Sequence, residues 1–229
     1  MKTKKQILIA FLLASCFSPL IFAQQEQKEL SIEESFLQEP IQIQIIREQS
    51  ESIDRSGKIF ALDLIKEYLD SGNKSAAILS VLRRLSLEGT LNRERIEGRV
   101  GNNYIDVRWR AAEYLGEFTP EESGNYLRDI ILNEEEPSVI ISAINSITKL
   151  GIYDEFTMLA IEKAFRRIDA IRPDDRLALS VLEYYKKPEK KSRFMLETIN
   201  YIRQSPNYQK SVRLQAENLI KIFMSQNIN

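Results

Sequence analysis

Histidine is absent from all 229 residues, and the one cysteine, Cys16, lies near the N-terminus. Those absences remove the Ser-His-Asp triad, a thiol nucleophile in the body of the chain, and ordinary structural or catalytic zinc. They also exclude disulfides within the folded region, so stability must come from buried apolar faces alone. Carboxylate, lysine and oxygen-ligated metal chemistry are what is left. The glycine patterns G-x-x-x-x-G-K-[ST], G-x-G-x-x-G and G-x-S-x-G are missing, and so is the D-x-D-x-D-G of a calcium loop. The densest acidic run, Glu134-Glu135-Glu136, reads as a solvated helix start. Carboxylates favour the positive end of the helix dipole, and Pro137 suits a first turn. Adjacent carboxylates on a helix diverge, which argues against a metal or acid–base site there. The sequence therefore assigns no catalytic, metal-binding or cofactor-binding residue.

Neither sign of charge dominates. The net charge of −1 becomes −4 once residues 1–23, which hold Lys2, Lys4 and Lys5 and no acid, are set aside. A mildly acidic surface is not a nucleic-acid footprint, so no nucleic-acid partner is expected. Residues 1–23 read as a secretory signal peptide: a basic start, the apolar run Ile7–Ala14, Pro19, and small Ala23 before Gln24. The run is too short to span a bilayer. Cleavage after Ala23 is one reading. In a second, Leu13-Ala14-Ser15-Cys16 resembles a lipobox, which makes Cys16 the acylated first residue and confines membrane contact to that lipid anchor. An uncleaved anchor is a third. The first two place the product in the periplasm or bound to the cell envelope.

Residues 24–52, rich in Gln and Glu, read as a flexible N-terminal segment. Within it, Pro40-Ile41-Gln42-Ile43-Gln44-Ile45-Ile46 alternates as a strand does, while Pro40 suits a helix start equally well. Residues 53–229 read as helical almost throughout. Val107, Ala111 and Leu115 share one helix face, and the trio recurs as Val139, Ala143, Ile147, then Leu177, Val181, Tyr185, then Val212, Ala216, Ile220. Prolines 120, 137, 173 and 206 fall at the joints, where a residue lacking a backbone donor does least harm. Thr119-Pro120-Glu121-Glu122 carries a cap, a first-turn proline and early acids. A further hairpin spans Ile53 to Gly89. The polar stretch 90–103 is the one long interruption, either mobile or functional.

A period of 32 to 38 residues marks stacked helical hairpins. Asp106-Val107-Arg108, Ala111-Ala112, Leu115-Gly116 and Val212-Arg213 resemble the second helix of HEAT repeats, in the short bacterial variety. The resemblance implies an all-α fold, an α-solenoid of about four to five hairpins in a right-handed superhelical stack. The family's acid–arginine ladder is incomplete here, because Ile140 stands where an arginine is expected and Leu177 is followed by Ala178.

HEAT-like arrays imply protein–protein contact along the faces of the second helices. Arg108, Trp109, Glu113, Asn145, Lys149 and Arg213 flank the buried trios and are the candidate protein-binding residues. Trp109 either packs between helices or anchors a partner on an exposed surface. The tyrosines 184, 185, 201 and 208 suit interhelix packing. The expected function is a non-catalytic exported scaffold or adaptor for another envelope protein. The alternative is a carboxylate-based lyase or carbohydrate-active enzyme in the groove.

Overall fold

The structure, a computed structural model, describes residues 40–189 and 191–226. The expected signal peptide, Cys16 and residues 24–39 lie outside the described residues. Contacts group Pro40–Asn229 into one compact unit. Among the described residues it is all-α, with ten helices and almost no strand. In chain order these are α1 (Ile41–Ser50), α2 (Arg55–Asp70), α3 (Ala76–Ser86), α4 (Ile105–Leu115) and α5 (Pro120–Asn133). They continue as α6 (Pro137–Lys149), α7 (Glu155–Ile171), α8 (Asp175–Tyr185), α9 (Arg193–Gln204) and α10 (Lys210–Gln226).

The periodic trios are what the helices bury. Val107, Ala111, Leu115, Val139, Ala143, Ile147, Leu177, Val181, Tyr185, Val212 and Ala216 are all buried, and Ile220 packs against the same core. One continuous apolar cluster runs from Ile43 to Phe223. The Thr119 signal also forms as read: the backbone N–H of Glu122 donates to Thr119 Oγ1 at 3.4 Å, and Thr119 N–H donates to Glu122 Oε2 at 3.0 Å. Two orphan donors are thereby satisfied at the start of α5.

Helices pack in series. The pairs α1–α2, α3–α4, α5–α6, α7–α8 and α9–α10 each pack together. Successive even-numbered helices contact one another from α2 to α10, and successive odd-numbered ones do so from α1 to α9.

Two expectations are corrected. Residues 41–50 do not belong to a flexible segment: of the two readings open at Pro40 the helix forms, and the packed region starts at 40 and not at 53. Ile43, Ile46 and Ser50 lie three and four residues apart and form one buried stripe on α2. The first hairpin is accordingly α1–α2, not Ile53–Gly89, and α3 pairs with α4 across the long connection. That connection contains a two-stranded antiparallel hairpin, β1 (Arg95–Ile96) and β2 (Arg99–Val100). Glu97 and Gly98 turn it with positive φ (51° and 80°), the two-residue turn whose twist matches paired strands. Buried Asn102 ties the hairpin down, accepting from Glu94 N–H at 3.0 Å and donating to Asn92 O at 2.8 Å.

Candidate protein-binding site

The even-numbered helices carry most of the expected contact residues. Trp109 and Glu113 lie one turn apart on α4, and Asn145 and Lys149 one turn apart on α6. These four line one cavity of about 230 Å³, together with Glu117, Ser142 and Ser146. Trp109 also borders a neighbouring hollow of about 620 Å³, lined by Arg55, Tyr104, Asp106, Ser138 and Arg176 among others. The larger hollow lies at the N-terminal ends of α2, α4, α6 and α8 and the smaller toward the C-terminal ends of α4 and α6; the 41 % exposed Trp109 borders both, and together they make up the even-helix groove.

Small residues set the depth of this groove. Ser142 Oγ donates to Trp109 O at 3.0 Å, and Ser146 Oγ donates to Ala112 O at 2.8 Å. A Cβ on Gly116 would lie 2.8 Å from Ser146 Oγ, so α4 and α6 approach closely only because residue 116 has no side chain. Lys149 Nζ pairs with Glu117 Oε1 at 2.6 Å across the two helices, and Ser180 Oγ donates to Asn145 Oδ1 at 3.3 Å from α8. Asp106 is held below the usual carboxylate range by its hydrogen bond from Arg55, which reaches it from α2. The groove thus offers one aromatic face bordered by charges of both signs.

Arg108 does not belong to this surface. It is 1 % exposed, buried behind the groove, because its partners lie inside. Its Nε donates to Glu134 Oε2 at 2.7 Å, and Nη1 reaches Glu88 O at 3.2 Å and Asn103 Oδ1 at 2.8 Å. The acidic run does open α6, with Glu135 exposed as expected, but the solvated reading fails at Glu134, which is 2 % exposed. Its Oε1 accepts from the N–H groups of Glu135 and Glu136 at 2.9 and 3.0 Å, ahead of α6. A second buried pair joins Lys58 of α2 to Glu88, the second residue beyond α3. Burial pushes the Glu88 carboxyl above its ordinary value, against the opposing pull of Lys58. Two buried acid–base pairs therefore tie successive hairpins together. Arg213 sits on α10, half-buried, away from the groove.

The four tyrosines pack. Tyr184 and Tyr185 are fully buried, and the hydroxyls of Tyr201 and Tyr208 both donate to Asp169. Sequence reading missed Glu117, Ser142 and Ser146; serines at i, i+4 beside a buried trio were the available signal. A larger hollow of about 830 Å³ opens between α5 and α7, lined by Arg128, Leu132, Lys163 and the 81 % exposed Phe156, among others. Among the described residues, no group of three or more His, Cys, Asp and Glu side chains is placed to hold a metal ion. No helix among them is long and apolar enough to cross a membrane. Compared with protein-family models, curated proteins and solved structures, the chain matches none of them.

Proposed function

We propose that this chain is a non-catalytic exported scaffold whose five hairpins stack as a HEAT-like α-solenoid and hold an envelope protein on the even-helix groove. Serial contact between alternate helices is what a solenoid produces, since each repeat touches only its neighbours. Export rests on the N-terminal sequence pattern. The single observation that carries the binding role is the convergence of Trp109, Glu113, Asn145 and Lys149 on one cavity. Tryptophan is over-represented among residues that dominate interface energy, and it acts best when a rim excludes water around it. Glu117–Lys149 and Arg55–Asp106 supply such a rim.

Affinity capture from native envelopes tests this with two truncations. Trp109→Ala lowers partner recovery at least tenfold, the effect of about 1.4 kcal/mol, while Phe156→Ala on the opposite helix layer leaves recovery unchanged. The reverse pattern moves the binding surface to α5 and α7. Loss with neither variant removes both.

A further inference from the structure

The fourth residue of each even-numbered helix is Lys58, Arg108, Ile140, Ala178 and Arg213 in turn. At the first two positions the cation is buried and paired with a carboxylate that the following hairpin supplies: Glu88 just beyond α3, Glu134 just beyond α5. At the next two, buried Ile140 and Ala178 need no acid. Arg213 breaks the rule. Its Nε is buried without a hydrogen-bond partner, and no carboxylate among the described residues pairs with it. Glu217, one turn along, is engaged by Lys221 at 3.0 Å. No described element follows α10 to supply the missing acid. Beside it on α10 Leu214 is more than half exposed, as is Met224 about three turns further along.

The opposite end carries the complementary set. Glu51 is the first residue beyond α1, as Glu134 is beyond α5. Its side chain is 59 % exposed, with Arg84 at 3.6 Å. Ile41, Ile45 and Phe60 are exposed on the same hairpin.

We propose that the chain associates head to tail with a second copy of itself. The α1–α2 hairpin of one copy stacks on α9–α10 of the next, and Glu51 meets Arg213. The proposal rests on the stacked-hairpin reading above, since it continues across copies the contact made within the chain. Apolar contact supplies the affinity and the ion pair fixes the register. A heterologous contact of this kind does not close at two copies; it produces rings or growing chains. Because the pair is partly exposed, salt weakens it.

Sedimentation of the purified protein across a hundredfold concentration range tests this. Wild type exceeds the dimer mass as concentration rises. Arg213→Glu and Glu51→Arg each raise the required concentration at least tenfold, and the double variant restores assembly, with helical circular dichroism unchanged throughout. A wild type that stays monomeric, stops at two, or is not rescued by the double reversal overturns the proposal. Crosslinks between Glu117 and Lys149 within the same samples separate the two readings. If they form in a protein that remains monomeric, the stack holds and self-association fails; if they do not form, the stack fails and takes the proposal with it.

Discussion

Two kinds of charged residue coexist on the even-numbered helices, and burial decides what each one does. Arg108 and Glu134 are almost fully buried and hold three chain segments together: α4, the end of α5 and the start of α6. Stranding one member of such a pair leaves an uncompensated charge and costs about 3–5 kcal/mol, whereas replacing both by apolar groups is far milder. The chain itself shows that apolar residues fit there, since Ile140 and Ala178 occupy the equivalent positions. Urea midpoints should therefore fall steeply for Glu134→Ala and much less for Arg108→Met with Glu134→Leu. Equal losses would contradict a buried pair. The acids also differ in pH response. Glu88 titrates above 4.5 in the folded state, so the folded form binds more protons there, and stability falls as pH rises from 4.5 through the raised value. Asp106, lowered by Arg55, adds stability above 3.8 that is lost as pH falls through its lower folded value. Carbon-detected titration of both carboxyls checks the signs; a Glu88 midpoint below 4.5 or an Asp106 midpoint above 3.8 would refute them.

At the scale of elements, the closeness of α4 and α6 depends on Gly116 and Ser146 meeting without a Cβ between them. Gly116→Ala places that carbon 2.8 Å from Ser146 Oγ, and overpacking of this sort costs about 1–3 kcal/mol. Thermal melts of Gly116→Ala should fall accordingly, and an unchanged melting temperature would show that the two helices are free to separate. The helices themselves were legible in sequence wherever a trio of apolar residues repeated at i, i+4, i+8, as at Val139, Ala143 and Ile147. They were illegible where polar residues diluted the stripe. In α1, Gln42 and Gln44 between isoleucines imitate a strand while Pro40 signals a helix start, and the buried spacing of Ile43, Ile46 and Ser50 decides for the helix. Pairing was harder still, because periodicity says which face is buried and not against which neighbour. The short Ser71–Ser75 turn made α2 and α3 look like partners. The long 87–104 connection concealed the α3–α4 pair, since Asn102 and the β1–β2 hairpin fold that connection back compactly. Of the candidate site, Trp109, Glu113, Asn145 and Lys149 were readable as flanks of the trios. Arg108 was not, because the distance between a flank and a buried pair is one side-chain direction, fixed only by Glu134 arriving from another helix.

On the scale of the whole packed region, the chain devotes its structure to surface. Its core is a continuous apolar cluster from Ile43 to Phe223, assembled from contacts between sequence neighbours. The even-numbered helices carry a hollow at Trp109, and the odd-numbered ones carry another at Phe156. The proposed role puts the partner on the even-numbered helices. Crosslinking in native envelopes, with mass-spectrometric mapping of the linked residues, tests it most directly. Intermolecular links should concentrate at Glu113, Glu117 and Lys149 and be depleted by Trp109→Ala. Links confined to Asp129 and Lys163 on the odd-helix layer, untouched by that substitution, would contradict it.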